Sequence, residues 1–144
     1  MEEKRVTFPV AVYLILIEDN KILLQQRAGT NYMNGYYGVP SGHVEMGEGC
    51  LNALVRETKE EIGVDIKKED LILKYTLNHV SNREYICLFY TVSKYNGIPK
   101  IMEPHKCTDL RFFDLDNLPT NIVPELKKYL NDVADGKNYG EIGY

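Results

Sequence analysis

Hydrophobic residues follow two different spacings along this chain, and each spacing predicts a different kind of element. Phe8 to Ile17 and Lys21 to Gln26 are apolar, β-branched or aromatic runs on either side of the polar residues 18–20, a combination that predicts a β-hairpin. Residues 28–41 are rich in glycine, asparagine and tyrosine and predict a loop with one short strand at 37–39.

The second half of the chain repeats the strand pattern and then ends in a helix. Asp70 to Val80 and Glu84 to Ser93, separated by three polar residues, predict a second hairpin, and Leu110 to Leu115 predicts a further strand. From about Ile122 to Ala134 the periodicity predicts an amphipathic helix, with an inward stripe formed by Leu126, Tyr129, Leu130 and Val133. With 144 residues and 44% hydrophobic content, we expect one α/β domain over residues 1–144.

The central segment from Cys50 to Ile62 has helical periodicity and predicts an amphipathic helix. Its expected core-facing stripe consists of Leu51, Leu54, Val55, Thr58 and Ile62. Glu57, Glu60 and Glu61 fall on a different side, because positions three and four apart stack over one another. Like charges at this spacing cost roughly 0.2–0.5 kcal/mol per pair, so we expect a cation to compensate the cluster.

Magnesium is the cation that this carboxylate cluster suits best. Mg²⁺ takes oxygen ligands, and one or two carboxylates typically hold it while it keeps waters and substrate phosphates in its shell. Arg56 lies one residue before Glu57 and four before Glu60, where it can orient a carboxylate or meet a phosphate. We expect the small residues Cys50 and Ala53 to lie near the carboxylate side and leave room for the ion and a phosphate chain.

Glycines and charged residues recur at fixed spacings through this segment: Gly42, Glu48, Arg56, Glu57, Glu60, Glu61 and Gly63. The pattern resembles the Nudix box of the Nudix hydrolases, with Thr58 where an aliphatic residue is usual. The resemblance implies cleavage of a nucleoside diphosphate linked to another group, with magnesium or manganese. It also implies a mixed β-sheet between helices, an α/β/α sandwich in which the box forms a loop-helix-loop. A Glu-rich helix without these glycines would more often be a solvated surface.

Similarity to MutT-type members of that family extends beyond the box. Residues 23–27 and 35–42 look like the strand and approach loop of those members, although Tyr37 stands where tryptophan is common and Ser41 where glycine is frequent. Residues 100–107 resemble the nucleoside triphosphate pyrophosphohydrolases, in which a glutamate at the position of Glu103 often serves as an added metal ligand or base. An ordinary polar loop residue is the alternative interpretation of Glu103.

The resemblance and the helix pattern together give a set of predicted site residues. The predicted metal ligands for Mg²⁺ (or Mn²⁺) are the Gly42 carbonyl, Glu57, Glu60 and Glu61, and the predicted catalytic residues are Arg56, Glu57, Glu60 and Glu103. The predicted substrate-binding residues are Arg27, Tyr37 and Tyr85, although packing in the core would explain the tyrosines and a surface ion pair would explain the arginine. The three histidines, His43, His79 and His105, show no ligand spacing and receive no role.

Charge and cysteine content narrow the classes of partner. The net charge of −4 and isoelectric point near 5.4 leave no basic face for a nucleic-acid polymer, whereas a small nucleotide remains compatible because a metal neutralises its phosphates. Three cysteines without close pairing argue against a disulfide framework or a zinc site. The N-terminus lacks a signal-peptide pattern and no apolar run reaches membrane-spanning length, so we expect a cytoplasmic protein. The oligomeric state, a homodimer included, stays open.

Three functions compete at this stage. The first is hydrolysis of a nucleoside triphosphate, canonical or modified, to a nucleoside monophosphate and pyrophosphate. The second is a Nudix hydrolase of ADP-ribose or dinucleoside polyphosphates; ADP-ribose enzymes of the family often carry a proline some way past the box, and none occurs between Pro40 and Pro99. The third is a nucleotide-sensing module without turnover, which usually loses box glutamates that this chain keeps.

Overall fold

Two β-sheets and two α-helices occupy residues 3–81 and 83–144, the part of the chain that the computed structural model describes. The strands are β1 (Val10–Ile15), β2 (Ile17–Glu18), β3 (Lys21–Arg27), β4 (Tyr37–Gly38), β5 (Ser41–His43), β6 (Leu71–Val80), β7 (Glu84–Val92), β8 (Cys107–Asp114) and β9 (Tyr139–Ile142). The helices are α1 (Cys50–Ile62) and α2 (Pro124–Ala134), and a short 3₁₀ helix spans Lys68–Asp70. The predicted order of strands, helix, strands and closing helix is confirmed, with two strands added, β5 before α1 and β9 after α2.

The larger sheet is mixed, as predicted. Its strand order is β5-β1-β7-β6-β9, in which β1 and β7 are parallel, β6 and β9 are parallel, and the other pairs are antiparallel. In the smaller sheet, β3 pairs antiparallel with β2, β4 and β8. The strand that carries the glycine of the box, β5, therefore lies at the edge of the larger sheet.

Helices cover both faces of the larger sheet, as the packing of strand β1 shows. Ala11 and Ile15 belong to a core cluster that includes Leu126 of α2, whereas Val12 belongs to a second cluster with Leu54 of α1. A strand buried on both faces has a nearly continuous apolar sequence rather than an alternating one, as this run does. The predicted α/β/α sandwich is therefore confirmed.

The first predicted hairpin is wrong in its strand pairing. Residues 10–15 pair with β5 and β7 in the larger sheet, and only β2 pairs with β3 across the polar turn. Asp19 and Asn20 both have positive φ, at 50° and 61°, which is the type I′ geometry of a two-residue hairpin turn. The chain passes from one sheet to the other near Leu16, because β1 finds longer pairing with strands that lie far along the sequence.

The second predicted hairpin is confirmed as the β6–β7 pair, although residue 82 of its turn lies outside the described residues. Strand β8 begins at Cys107, three residues before the predicted start at Leu110. Helix α2 begins at Pro124 because proline suits the first helical turn, where its missing N–H costs no hydrogen bond. The sequence did not predict β9, which pairs parallel with β6 at the sheet edge.

Thr58 occupies the position in α1 where the family pattern has an aliphatic residue, and its side chain lies in the core. The residue has 0% exposure, and its hydroxyl is the buried side-chain oxygen that has no hydrogen-bond partner among the described residues. Replacement by valine keeps the shape and removes an unsatisfied polar group. We expect Thr58→Val to raise the free energy of unfolding by about 1 kcal/mol, measured by denaturant titration.

Thr58→Ala is the matched control for this prediction, because it removes the hydroxyl but also deletes a buried methyl group. Alanine should therefore give no comparable gain. A valine protein that unfolds at the same or lower denaturant concentration than the parent would show that the hydroxyl is satisfied in solution.

Candidate active site

Helix α1 directs its carboxylates away from the core by burying the opposite side. Ala53, Leu54, Thr58 and Ile62 are its buried residues, and the predicted bounds of the helix, Cys50 to Ile62, are confirmed. Gly63 ends it in the left-handed conformation, with φ of 70°, and its N–H donates to the Lys59 carbonyl as a C-terminal cap. The expectation for Ala53 is wrong, because its side chain packs in the core with 0% exposure rather than beside the carboxylates.

Arg56 binds several of the carboxylates around it. Its Nε and Nη2 atoms donate to the two oxygens of Glu48 at 3.1 and 2.7 Å, a bidentate pair. Its Nη1 donates to Glu57 Oε1 at 2.8 Å and to Glu60 Oε2 at 3.3 Å. The bonds to Arg56 lower the pKa of Glu48. The arginine thus supplies part of the positive charge that the helix pattern requires, and it holds three glutamates in place.

Glu57 and Gly42 are in close contact. Strand β5 passes so near the carboxyl group of Glu57 that a Cβ atom on residue 42 would overlap it, which explains the glycine at this position. The side chain of Glu57 is only 18% exposed. Burial raises the pKa of Glu57, and the hydrogen bond from Arg56 opposes that rise. The Glu57 carboxylate therefore lies directly against the backbone of β5, in a partly enclosed position.

Glu61 is the most strongly perturbed carboxyl group of the box. Burial raises the pKa of Glu61 to about 8, and the negative charges of Glu57 and Glu103 add to the rise. The Ser41 N–H donates to Glu61 Oε1 at 2.9 Å, and Gln25 Nε2 lies 3.4 Å from the same oxygen. These two neutral donors do not balance a full negative charge, so the position favours a bound cation.

A cavity of about 410 Å³ opens onto these carboxylates. It is lined by Gln25, Arg27, Thr30, Gly42, His43, Glu45, Glu57, Glu61, Glu103, Lys106 and Cys107. The structure thus brings Glu103, which sequence reasoning left between two interpretations, into the same cavity as Glu57 and Glu61. Glu60 does not line the cavity; its side chain is 53% exposed and contacts Arg56. We call this space the carboxylate cavity.

A second cavity, of about 310 Å³, adjoins the first. Its lining consists of Ala11, Tyr13, Arg27, Asn31, Tyr32, Ser41, Gly42, His43, His79, Ser81, Arg83, Tyr85 and Glu125. Aromatic and histidine rings are frequent here, and we call this space the aromatic cavity. The two cavities share Arg27, Gly42 and His43. They are therefore neighbouring cavities, and together we call them the cleft, which has an acidic end and an aromatic end.

Two of the three predicted substrate residues lie in this cleft. Arg27 lines both cavities, although its Nε donates to the Tyr32 carbonyl at 2.9 Å and its guanidinium carbon lies 5.4 Å from the Tyr32 ring centroid. Tyr85 lines the aromatic cavity, with the His43 ring centroid 5.8 Å from its own. Tyr37 lines neither cavity. It is 7% exposed, its hydroxyl donates to Asp109, and its ring packs against Phe113, so the structure gives it a core position.

Sequence reasoning missed His43 and Glu125 as cleft residues. His43 directly follows the box glycine, Gly42. This adjacency is the sequence feature that could have indicated its place between the two cavities. Burial and the nearby Arg83 lower the pKa of His43 and so favour the uncharged ring. Glu125 follows the proline that begins α2 and gave no signal of its own, because an acidic residue in the first turn of a helix is common for reasons of capping.

A protein-family model matches most of the chain. The model for the NUDIX domain matches residues 7–133. The chain belongs to the NUDIX domain family. This Nudix hydrolase is 35% identical to an ADP-ribose pyrophosphatase of Methanocaldococcus jannaschii over 130 residues, 90% of this chain and 75% of that protein. It is 30% identical to an 8-oxo-dGTP diphosphatase of Escherichia coli strain K12 over 121 residues, 83% of this chain and 93% of that protein.

A solved structure supports the same assignment. The MutT NUDIX hydrolase from Burkholderia pseudomallei superposes on this Nudix domain with a TM-score of 0.82 and 25% sequence identity, covering 89% of this chain and 99% of that chain. The protein is therefore a Nudix hydrolase that acts on nucleotide-linked substrates. Within the described residues, no helix is long and apolar enough to cross a membrane.

Nudix hydrolases generally use divalent metal ions, and the residues of the carboxylate cavity fit such an ion. In residues 3–81 and 83–144, no group of three acidic, cysteine or histidine side chains is already arranged to hold a metal. The donor atoms are nevertheless hard oxygens, from Glu57, Glu61 and Glu103, and the raised pKa of Glu61 marks charge that no basic residue balances. Because Mg²⁺ is commonly held by one or two carboxylates plus waters and substrate phosphates, a partial protein shell is what it requires.

Proposed function

We propose that this Nudix hydrolase cleaves nucleoside triphosphates to nucleoside monophosphates and pyrophosphate in the presence of Mg²⁺. The observation that carries the proposal is the cleft, in which the carboxylate cavity and the aromatic cavity lie side by side and share Arg27, Gly42 and His43 in their walls. The triphosphate lies at the acidic end with the metal, and the base lies among the rings of the aromatic end. Their separation matches a substrate with a charged chain on one side and a planar group on the other.

Glu57, Glu61 and the carbonyl of Gly42 would hold Mg²⁺, together with Glu60 from the exposed side of the helix. When bound, the metal neutralises charge on the phosphate oxygens and lowers the pKa of a coordinated water. Water adds to one phosphorus of the α–β anhydride and the bridging P–O bond breaks, so that the products are the nucleoside monophosphate and pyrophosphate. The proton of the water passes to a carboxylate, for which Glu57 and Glu103 are the candidates in the cavity.

The remaining charged residues position these groups. Arg56 holds Glu57 and Glu48 through its guanidinium and so keeps the cluster assembled before substrate arrives. Arg27 and Lys106 line the carboxylate cavity and place positive charge beside the phosphate chain. At the other end, Tyr85 offers a ring for stacking against the base.

ADP-ribose is the second candidate substrate. It is favoured by the 35% identity to an ADP-ribose pyrophosphatase over 90% of this chain. It would use the same carboxylates, but its second ribose would have to occupy the acidic end of the cleft beside Glu103 and Lys106. A triphosphate suits that charged surface better than a sugar does, and we therefore rank it first. Retention of every box glutamate speaks against a sensor without turnover.

A substrate panel tests the proposal. The purified protein is incubated with Mg²⁺ and, separately, with the four ribonucleoside triphosphates, the four deoxynucleoside triphosphates, 8-oxo-dGTP, ADP-ribose and diadenosine tetraphosphate. We expect the highest kcat/KM with a triphosphate, with stoichiometric pyrophosphate and monophosphate as products. Faster cleavage of ADP-ribose to AMP and ribose 5-phosphate would replace the proposal with the second candidate, and no turnover of any compound would favour a sensor.

A further inference from the structure

We propose that Glu125 selects the base of the substrate by binding the guanine edge that carries N1–H and the exocyclic N2 amino group. The proposal rests on the proposed function and adds to it the residue that determines specificity and the class of base. Neither the family match nor the relatives assign a role to this residue.

The location of Glu125 is the first argument. It is the second residue of α2, has only 5% exposure, and lines the aromatic cavity beside the residues that would stack on a base. Its two oxygens accept hydrogen bonds from tyrosine hydroxyls: Tyr32 donates to Oε1 at 3.0 Å and Tyr13 donates to Oε2 at 3.4 Å. The carboxyl group is therefore oriented before any ligand binds.

The unused acceptor capacity of Glu125 is the second argument. None of the ion pairs among residues 3–81 and 83–144 includes this glutamate, and the side-chain hydrogen bonds that it accepts within these residues come from two tyrosine hydroxyls. A carboxylate accepts about four hydrogen bonds in total, and the two tyrosines supply two. A buried carboxylate with free lone pairs on both oxygens binds best to a ligand that offers two neighbouring N–H donors.

Guanine is the base that offers such a pair. Its N1–H and N2 amino group lie side by side and match the two oxygens of one carboxylate. Adenine and cytosine instead place one amino group beside a ring nitrogen that is an acceptor, and this acceptor would face a carboxylate oxygen. Uracil and thymine offer one N–H between two carbonyl oxygens. Oxidised guanine with a carbonyl at C8 keeps the N1–H and N2 donors and remains compatible.

Substrate analogues test the proposal on the unmodified protein, without any risk to folding. We expect kcat/KM for GTP or dGTP to exceed that for the matching adenine, cytosine, uracil and thymine nucleotides by at least about tenfold, the discrimination typical of a bidentate contact. Inosine triphosphate, which lacks only the N2 amino group, should lose about tenfold relative to GTP. The analogue 7-deaza-GTP keeps the same edge and should be hydrolysed like GTP.

The variant Glu125→Gln gives a second test with opposite effects on two bases. An amide offers one acceptor and one donor, which matches adenine and places a donor against a donor of guanine. We expect kcat/KM for GTP to fall about tenfold or more and kcat/KM for ATP to rise, so that the preference narrows or reverses. Glu69→Gln, the same substitution at an exposed position, is the matched control and should keep the parental preference.

The outcomes separate this proposal from the proposed function. Hydrolysis of triphosphates without a guanine preference, or equal rates for GTP and inosine triphosphate, would overturn the role of Glu125 and leave the proposed function intact. Cleavage of ADP-ribose alone would overturn the proposed function, and the role of Glu125 with it. A glutamine variant that lowers all rates equally would show that Glu125 supports the structure of the cleft rather than selecting the base.

Discussion

Glu57→Gln is expected to lower kcat/KM by about 10²–10⁴-fold at saturating Mg²⁺. The substitution keeps the length of the side chain. The contact that it affects directly is the hydrogen bond that Arg56 donates to residue 57. It removes the negative charge that the carboxylate cavity offers to a cation and to a proton. The rates are measured by pyrophosphate release across a range of metal concentrations, so that weaker metal binding and slower chemistry can be separated.

Glu69→Gln again serves as the control. Glu69 lies in the short 3₁₀ helix that follows α1, at an exposed position outside both cavities. Its rates should match those of the parent. If the Glu57→Gln protein is folded and turns over at the parental rate with saturating metal, Glu57 is neither a required metal ligand nor the base.

Gly42→Ala should lower kcat/KM by at least about 100-fold, although it adds only one methyl group. The new Cβ would overlap the carboxyl group of Glu57, so the carboxylate or strand β5 must move. Displacement by about 1 Å is enough to cost such a factor when a catalytic group must be held in place. We expect the thermal transition to remain cooperative, because the clash involves the end of a side chain at the sheet edge.

Gly49→Ala is the matched control for this second prediction. Gly49 lies just before α1 in an extended conformation with φ of −79°, and a Cβ there would meet nothing within 4 Å. The alanine protein should therefore keep most of the parental rate. Equal rates for Gly42→Ala and Gly49→Ala would show that the close approach of β5 to Glu57 has no part in turnover.

The box illustrates what local sequence can predict. The helix from Cys50 to Ile62 was predicted at its observed bounds, since periodicity and a terminal glycine act over a few residues. The side chain of Ala53 was misplaced for a related reason. A helical wheel ranks directions around an axis, whereas the width of the buried stripe depends on the strands that pack against it, here β1 and β5.

The cleft illustrates what local sequence could not predict. Tyr37 and Tyr85 were equivalent as sequence positions, yet one bonds Asp109 in the core and the other lines the aromatic cavity. Glu103 lines the same cavity as Glu57 and Glu61 of α1, and only the tertiary structure shows that its loop lies there. Glu125 gave no signal in the chain, because the role proposed for it depends on its contacts with Tyr13 and Tyr32, which are far from it in sequence.

The sequence by itself determined the family, the box helix and the carboxylate cluster, because these depend on spacings within about 20 residues and on the charge of adjacent turns. Tertiary structure alone decided that β1 leaves its expected hairpin, that β9 completes the larger sheet, and that two cavities meet at Gly42 and His43. Strand pairing and cavity walls join residues that are distant in the chain, and their partners are chosen by packing and hydrogen bonding over the whole fold. The residues proposed for the reaction are therefore close together in the sequence, whereas we expect the choice of base to be a property of the assembled cleft.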